Sequence, residues 1–377
     1  MKTCKLVLVS LLFLASCQNQ HTSDPASDLE DLLEEHNAVG LSVVMVKEGK
    51  IVYSDAFGMK NLEAETPLRT DDLFRIASIS KSFSVTALMQ LIEAGEISLD
   101  DDISDLVGFK VRNPHYPDTV ITLRMMLSHT SSITDEHGYF TLDQINPDAN
   151  PDWQESYNDY EPGTEYEYCN LAFNMIGAVI EKLTDTRFDQ YIKAQVLDPL
   201  NLEGHFNVNE LEADRLTPLY HYDSDTGTYQ ESPNAYASRG EEINDYTLGY
   251  SAPIFSPTGG LKISAIDLAI YMIMHMNYGQ YDGERMISEE SARAMQTPVL
   301  EESGYGLALR TFEEVLPGKT LVGHTGSAYG LYSAMAFDPE EKYGFVAITN
   351  GSPTEYVNGV NETLLEAIRI LHQEFIE

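Results

Sequence analysis

A hydroxyl and an amine three residues apart on a helix share one face, about one turn from each other. The chain places such a pair at Ser78 and Lys81, in the run Ser78-Ile79-Ser80-Lys81. The chemistry this allows is nucleophilic, because a serine hydroxyl attacks an acyl carbon poorly until a nearby base takes its proton. Tyr168 and Asn170 in Tyr168-Cys169-Asn170 lie two apart, so in extended chain both face one cleft. Gly323-His324-Thr325-Gly326-Ser327 falls on a predicted strand whose glycines let backbone come close to a ligand. Other chemistries lack their residues. The 10 histidines are scattered, with no zincin pattern and no Cys-x-x-Cys pair, so neither a metal nor an organic cofactor is expected. A Gly-x-Ser-x-Gly elbow and a phosphate loop are also missing.

Helices and strands must hold these residues in place. The spacing of Ala87, Leu88, Leu91 and Ile92 predicts a helix over Ser78–Ala94, stopped by Gly95, whose N-terminal potential favours an oxyanion beside Ser78. Further helices are predicted over Asp28–His36, from Thr122 as N-cap through Leu127, over Asn170–Leu183, from the box Ser264–Asp267 through Met276, and over Val360–Phe375. Leu41–Lys47 and Lys50–Ala56 read as strands joined by Glu48-Gly49, and Thr320–Gly323, Tyr332–Phe337 and Tyr343–Thr349 as a meander. Between them, Asn146–Pro162 is loop. Strands at both ends with helices between predict an α+β fold: one antiparallel sheet flanked by helices, with a mainly helical domain inserted. The sheet domain takes residues 28–97 and 251–377, the insert takes 98–250, and the catalytic cleft lies between them.

With 377 residues, 43% of them hydrophobic, the chain can bury a full core, and its net charge of −37 excludes nucleic acid as a partner. Lys2 and Lys5 ahead of the apolar stretch Leu6–Ala15 form an export signal over residues 1–16. Leu14-Ala15-Ser16-Cys17 resembles the lipobox of bacterial lipoproteins, which implies a lipidated Cys17, a tether over 17–27 and anchorage to the cell-envelope membrane. Cys169 then has no partner for a disulfide.

Taken in order, the three chemical segments resemble the serine β-lactamase and penicillin-binding-protein superfamily, and within it the class C β-lactamase-related hydrolases, from about Gly40 to Gly351. Phe74-Arg75-Ile76-Ala77, Leu127-Ser128-His129-Thr130-Ser131, Gly259-Gly260-Leu261 and Thr349-Asn350-Gly351 carry the resemblance further. It implies the β-lactamase/transpeptidase-like fold and an acyl-enzyme on Ser78, with Lys81 as activating partner and Tyr168 as general base, its phenol acidified by neighbouring cations. Asn170, His324, Thr325 and Gly326 would bind substrate, and the backbone N–H groups of Ser78 and Ser327 would form the oxyanion hole. His324 departs from the lysine usual at its position. A mostly neutral imidazole anchors a carboxylate weakly, which tilts the expected substrates toward esters, amides and D-amino-acid peptides, with acid expected to charge the ring. The alternatives are a true β-lactamase or D-alanyl-D-alanine carboxypeptidase, and a peptidoglycan- or peptide-binding module without turnover. Among residues that invite a role, His129 is expected to be structural at a helix end, Cys169 a packed small residue, and Trp153 a cover over the cleft. The partner expected is a small-molecule or peptide acyl substrate, with the oligomeric state open.

Overall fold

The computed structural model describes residues 24–377. The export signal over 1–16, Cys17 and the first part of the tether lie outside the described residues. Helix α1 spans Pro25–Glu35 and so begins ahead of the expected Asp28, taking Pro25 to Ser27 out of the tether. Its start follows from capping: the Asp24 carboxylate accepts the Ala26 N–H at 3.2 Å, and Pro25 takes the first helical position, where its missing N–H has no intrahelical partner to lose.

Seven antiparallel strands form the central sheet: β1 (Gly40–Lys47), β2 (Lys50–Asn61), β3 (Thr66–Pro67), β4 (Arg310–Phe312), β5 (Leu321–Ala328), β6 (Leu331–Asp338) and β7 (Tyr343–Thr349). Their order is β4-β5-β6-β7-β1-β2-β3, so the first strand of the chain pairs with the last of this sheet, Val44 opposite Val346. Side-chain alternation makes β1 a central layer. Leu41, Val43 and Met45 pack with α1 and the C-terminal helix α5 (Glu362–Phe375), whereas Val44 and Val46 join the core that the inner helices build. Those inner helices are α2 (Ser80–Glu93), α3 (Asn170–Thr184) and α4 (Ala265–Met276). Phe83 of α2 stacks on Tyr271 of α4 with centroids 3.6 Å apart, both fully buried.

Local signals set several boundaries as expected. Thr122 accepts the Met125 N–H and caps the short helix Leu123–Leu127, Ser264 accepts the Asp267 N–H and opens α4, and Gly95 takes the left-handed conformation (φ 77°) that ends α2. Strand β5 runs unbroken from Leu321 to Ala328 and holds the whole Gly323–Ser327 segment, as expected. Two features differ from expectation: strand β2 runs on to Asn61, and the middle segment carries a hairpin, Tyr220–Asp223 with Thr228–Glu231. Asp223 builds that hairpin's turn by accepting the N–H groups of Asp225 and Thr226. Among the described residues, no helix is long and apolar enough to cross a membrane.

Candidate active site

Ser78 sits in a single 3₁₀ turn, Ala77–Ile79, that feeds into α2, rather than on the α-helix itself. Ala77 is held at φ 46°, a left-handed conformation that costs a side-chain-bearing residue on the order of 1 kcal/mol or more. Neighbouring strands hold the turn in this shape. The Ile76 N–H bonds the Leu261 carbonyl at 3.0 Å, and Ser333 Oγ of β6 donates to the Ile76 carbonyl at 2.9 Å. Gly326 of β5 passes so close that a Cβ there would fall 2.3 Å from that same carbonyl oxygen, which explains the glycine. Ser78 and Ser327, whose N–H groups the family resemblance pairs, thus line one cavity of about 300 Å³.

Lys81 is fully buried beneath Ser78, with three polar neighbours around its amine. Its Nζ lies 2.9 Å from Asn170 Oδ1, 2.9 Å from the Thr258 carbonyl and 3.1 Å from Ser78 Oγ. The Asn170 amide cannot be turned around, because its Nδ2 donates to the Asp135 carboxylate at 2.8 Å. Two of the three neighbours can therefore only accept, and a neutral amine has two hydrogens to give them. Its lone pair is then left for the Ser78 hydroxyl. Burial favours this form, pulling the Lys81 ammonium from its usual 10.5 down to about 7 against the opposing field of Asp135.

Asp135 organises the other side of the site. Its carboxylate accepts the free N–H groups of Asn170 (2.7 Å) and Leu171 (2.9 Å) at the start of α3, as well as the Asn170 side chain. Thr258 Oγ1 completes the hold by donating to Asn170 Oδ1 at 2.6 Å. Cys169, the N-cap, is buried with its thiol pushed well above its usual range by burial and by Asp135, so it is a packed residue with no thiolate character.

Two electrostatic expectations are corrected. The Tyr168 phenol is raised, not acidified: its hydroxyl is buried, and desolvation outweighs the opposing hydrogen bond toward the Ser78 hydroxyl. Its Oη is buried short of full hydrogen-bond geometry with any described residue, and Lys81 Nζ stands 4.7 Å from its ring centre. His324 is buried as well, with its pKa lowered to about 3 by desolvation and then by Lys81, so acid near pH 6 does not charge it.

A directed chain of bonds fixes the His324 tautomer. The Cys169 N–H donates to His129 Nδ1 at 3.0 Å, leaving Nε2–H to donate to Tyr305 Oη at 3.2 Å. Tyr305 then donates to His324 Nε2 at 2.9 Å, and His324 Nδ1–H donates to the Thr325 carbonyl at 2.5 Å. His129 thus acts as a structural link after the helix Leu123–Leu127, tying the Tyr168 segment to β5.

The cavity brings together Ser78, Tyr168, Asn170, His324, Thr325, Gly326 and Ser327, with Lys81 under its floor. Trp153 does not cover it. Its indole packs edge-on against Tyr157, 5.9 Å between centroids, and lines neither cavity that Ser78 touches. Arg310 does line the cavity, and sequence reasoning passed it over. It faces Gly323 across β4 and β5, its guanidinium sits 5.1 Å from the Phe312 ring, and it makes no ion pair among the described residues. A lone arginine in the apolar run Tyr305–Phe312 was the available signal.

Comparison with known proteins follows the same lines. The family model described as Beta-lactamase matches residues 26–368. Penicillin-binding protein 4 of Amycolatopsis lactamdurans is 28% identical over 340 residues, which cover 85% of this chain and 83% of that one. The octameric penicillin-binding protein homologue from Pyrococcus abyssi superposes with a TM-score of 0.74 at 27% identity, over 93% of this chain and 77% of that one. The D-amino acid amidase from Ochrobactrum anthropi SV3 has a TM-score of 0.71 at 20% identity, over 93% and 99%, a likeness of fold alone.

Proposed function

The chain belongs to the beta-lactamase family, and from that premise we propose that it is a serine hydrolase forming an acyl-enzyme on Ser78 and cleaving esters, amides or D-amino-acid-containing peptides. The observation that carries this reading is the accounting at Lys81: both hydrogens of a neutral amine are taken, and the lone pair faces Ser78 Oγ at 3.1 Å. Ser78 gives its proton to Lys81 as its oxygen attacks the acyl carbon. The oxyanion is received by the N–H groups of Ser78 and Ser327, two preorganised donors that together supply several kcal/mol, about 2.7 to 4 for one such donor. Tyr168, kept protonated by burial, gives its proton to the leaving atom and is recharged from Lys81. Water then cleaves the acyl-enzyme with the same groups acting in reverse. The D-amino acid amidase among the structural neighbours is consistent with this chemistry.

Arg310 favours, within that range, a leaving group that carries a carboxylate, as in a carboxypeptidase. Among the described residues it is the cationic side chain lining the cavity that holds the neutral His324, and its planar guanidinium suits a carboxylate. Arg310→Ala should raise KM for a substrate with a carboxylate on its leaving group by about 10- to 100-fold, the scale of a charge-assisted pair, and hardly move KM for the matched methyl ester. Equal effects on both substrates would remove Arg310 from recognition.

Anchorage through Cys17 is part of the proposal. Cys17→Ser should move the protein from the detergent phase to the aqueous phase on Triton partitioning. Wild-type protein recovered wholly in the aqueous phase would argue against the lipid.

A further inference from the structure

Ser78, Asn170 and Ser327 border a second cavity of about 350 Å³, which shares them with the first but is otherwise walled by different residues. Tyr168, the group placed to protonate a leaving atom, lines only the first. A substrate whose carbonyl sits between the Ser78 and Ser327 N–H groups therefore sends its leaving group into the Tyr168 cavity and its acyl arm into the second. We propose, resting on the hydrolase reading above, that this second cavity is an acyl subsite selective for a flat aromatic arm.

Its rim is aromatic at a visible cost. Phe140 is 68% exposed, the most exposed large apolar side chain among the described residues, and its ring lies 4.3 Å from that of Tyr139. The Tyr139 carbonyl is tied to α3 by the Asn174 side chain at 2.6 Å, so the pair is placed by a buried anchor. Tyr329 faces the same cavity from the turn between β5 and β6, where it holds φ 58° with Gly330 at 89°. Two successive left-handed residues favour Asn or Gly, and a tyrosine there is strained. Beneath its ring lies the Arg75 guanidinium, 5.2 Å from the centroid. Arg75 is itself buried and donates to the Ala235 carbonyl and Ser256 Oγ. Three rings bordering one cavity, two of them placed against the ordinary preference for burial or relaxed backbone, give a stacking site for an aromatic acyl group.

The test compares 4-nitrophenyl phenylacetate with 4-nitrophenyl acetate, which share a leaving group and so hold the Tyr168 cavity constant. The wild type should favour the phenylacetyl ester in kcat/KM by at least about tenfold, and Phe140→Ala should cut that ratio about tenfold. Tyr329→Asn should also lower the ratio while raising the melting temperature, a combination that loss of structure cannot produce. A wild-type ratio near one, or a ratio that both substitutions leave within twofold, overturns the acyl subsite while leaving the hydrolase reading intact. Absence of turnover with both esters and of any adduct on Ser78 overturns the hydrolase reading and the subsite with it.

Discussion

Ser78→Ala is expected to lower kcat/KM on any ester or amide substrate by about 10⁴-fold or more, with the fold retained. The loss is large because the bond-forming atom is removed, and among the described residues no other nucleophile lines the cavity in an activated state. His324 is neutral and tied at both ring nitrogens, Ser333 Oγ donates to the Ile76 carbonyl, and the Thr325 and Ser327 hydroxyls make no hydrogen bond to a base among the described residues; Cys169, off the cavity, is a buried thiol. Stability changes little by contrast. Ser78 gives up one side-chain bond, to Lys81, worth about 1 kcal/mol, and the amine keeps Asn170 and Thr258. The measurements are steady-state rates and a thermal melt of the same preparation. A folded variant that still turns over would remove Ser78 from the reaction.

The second large effect belongs to Lys81 and Tyr168. Lys81→Met and Tyr168→Phe should each slow acylation by about 10²- to 10⁴-fold, and the double variant should be little slower than the worse single one, because the two pass one proton between them. Additive losses would mean that they act separately. The pH dependence follows from the same geometry. Burial lowers the Lys81 pKa, so the amine is neutral above about 7 and charged below it. Activity should therefore fall tenfold per pH unit below about 7 and stay level above it, since the raised Tyr168 phenol keeps its proton. Tyr168→Phe should also leave the protein at least as stable, because the phenol's hydroxyl is buried without a well-formed bond.

What the sequence could show divides by distance along the chain. The Ser78–Lys81 pair, the α3 start beside Asn170 and the Thr122 and Ser264 caps all rest on contacts within a few residues, and spacing and capping chemistry reveal those. Asp135, Thr258 and Tyr305 carry no local signature. Asp135 reaches Asn170 across 35 positions and Thr258 reaches it across 88, contacts that only the packed helices create. The two electrostatic corrections have one cause. Residue type supplies a reference pKa, but desolvation at Tyr168 and His324 is a product of the fold, and in both it outweighs the one opposing hydrogen bond, from Ser78 and Thr325 respectively. The early end of the predicted helix had a similar origin: the turn at Ala77 is imposed by β5 and β6, not by the preferences of alanine and serine.

The central claim is a covalent acyl-enzyme on one serine, and a mass measurement reads it directly. Wild-type protein incubated with a fluorophosphonate probe near pH 8, where Lys81 is neutral, should gain one probe mass, and peptide mapping should place it on the segment containing Ser78. Ser78→Ala should gain none. Turnover of esters by a protein that stays unlabelled, or a label carried on a different residue of the active protein, would contradict the account.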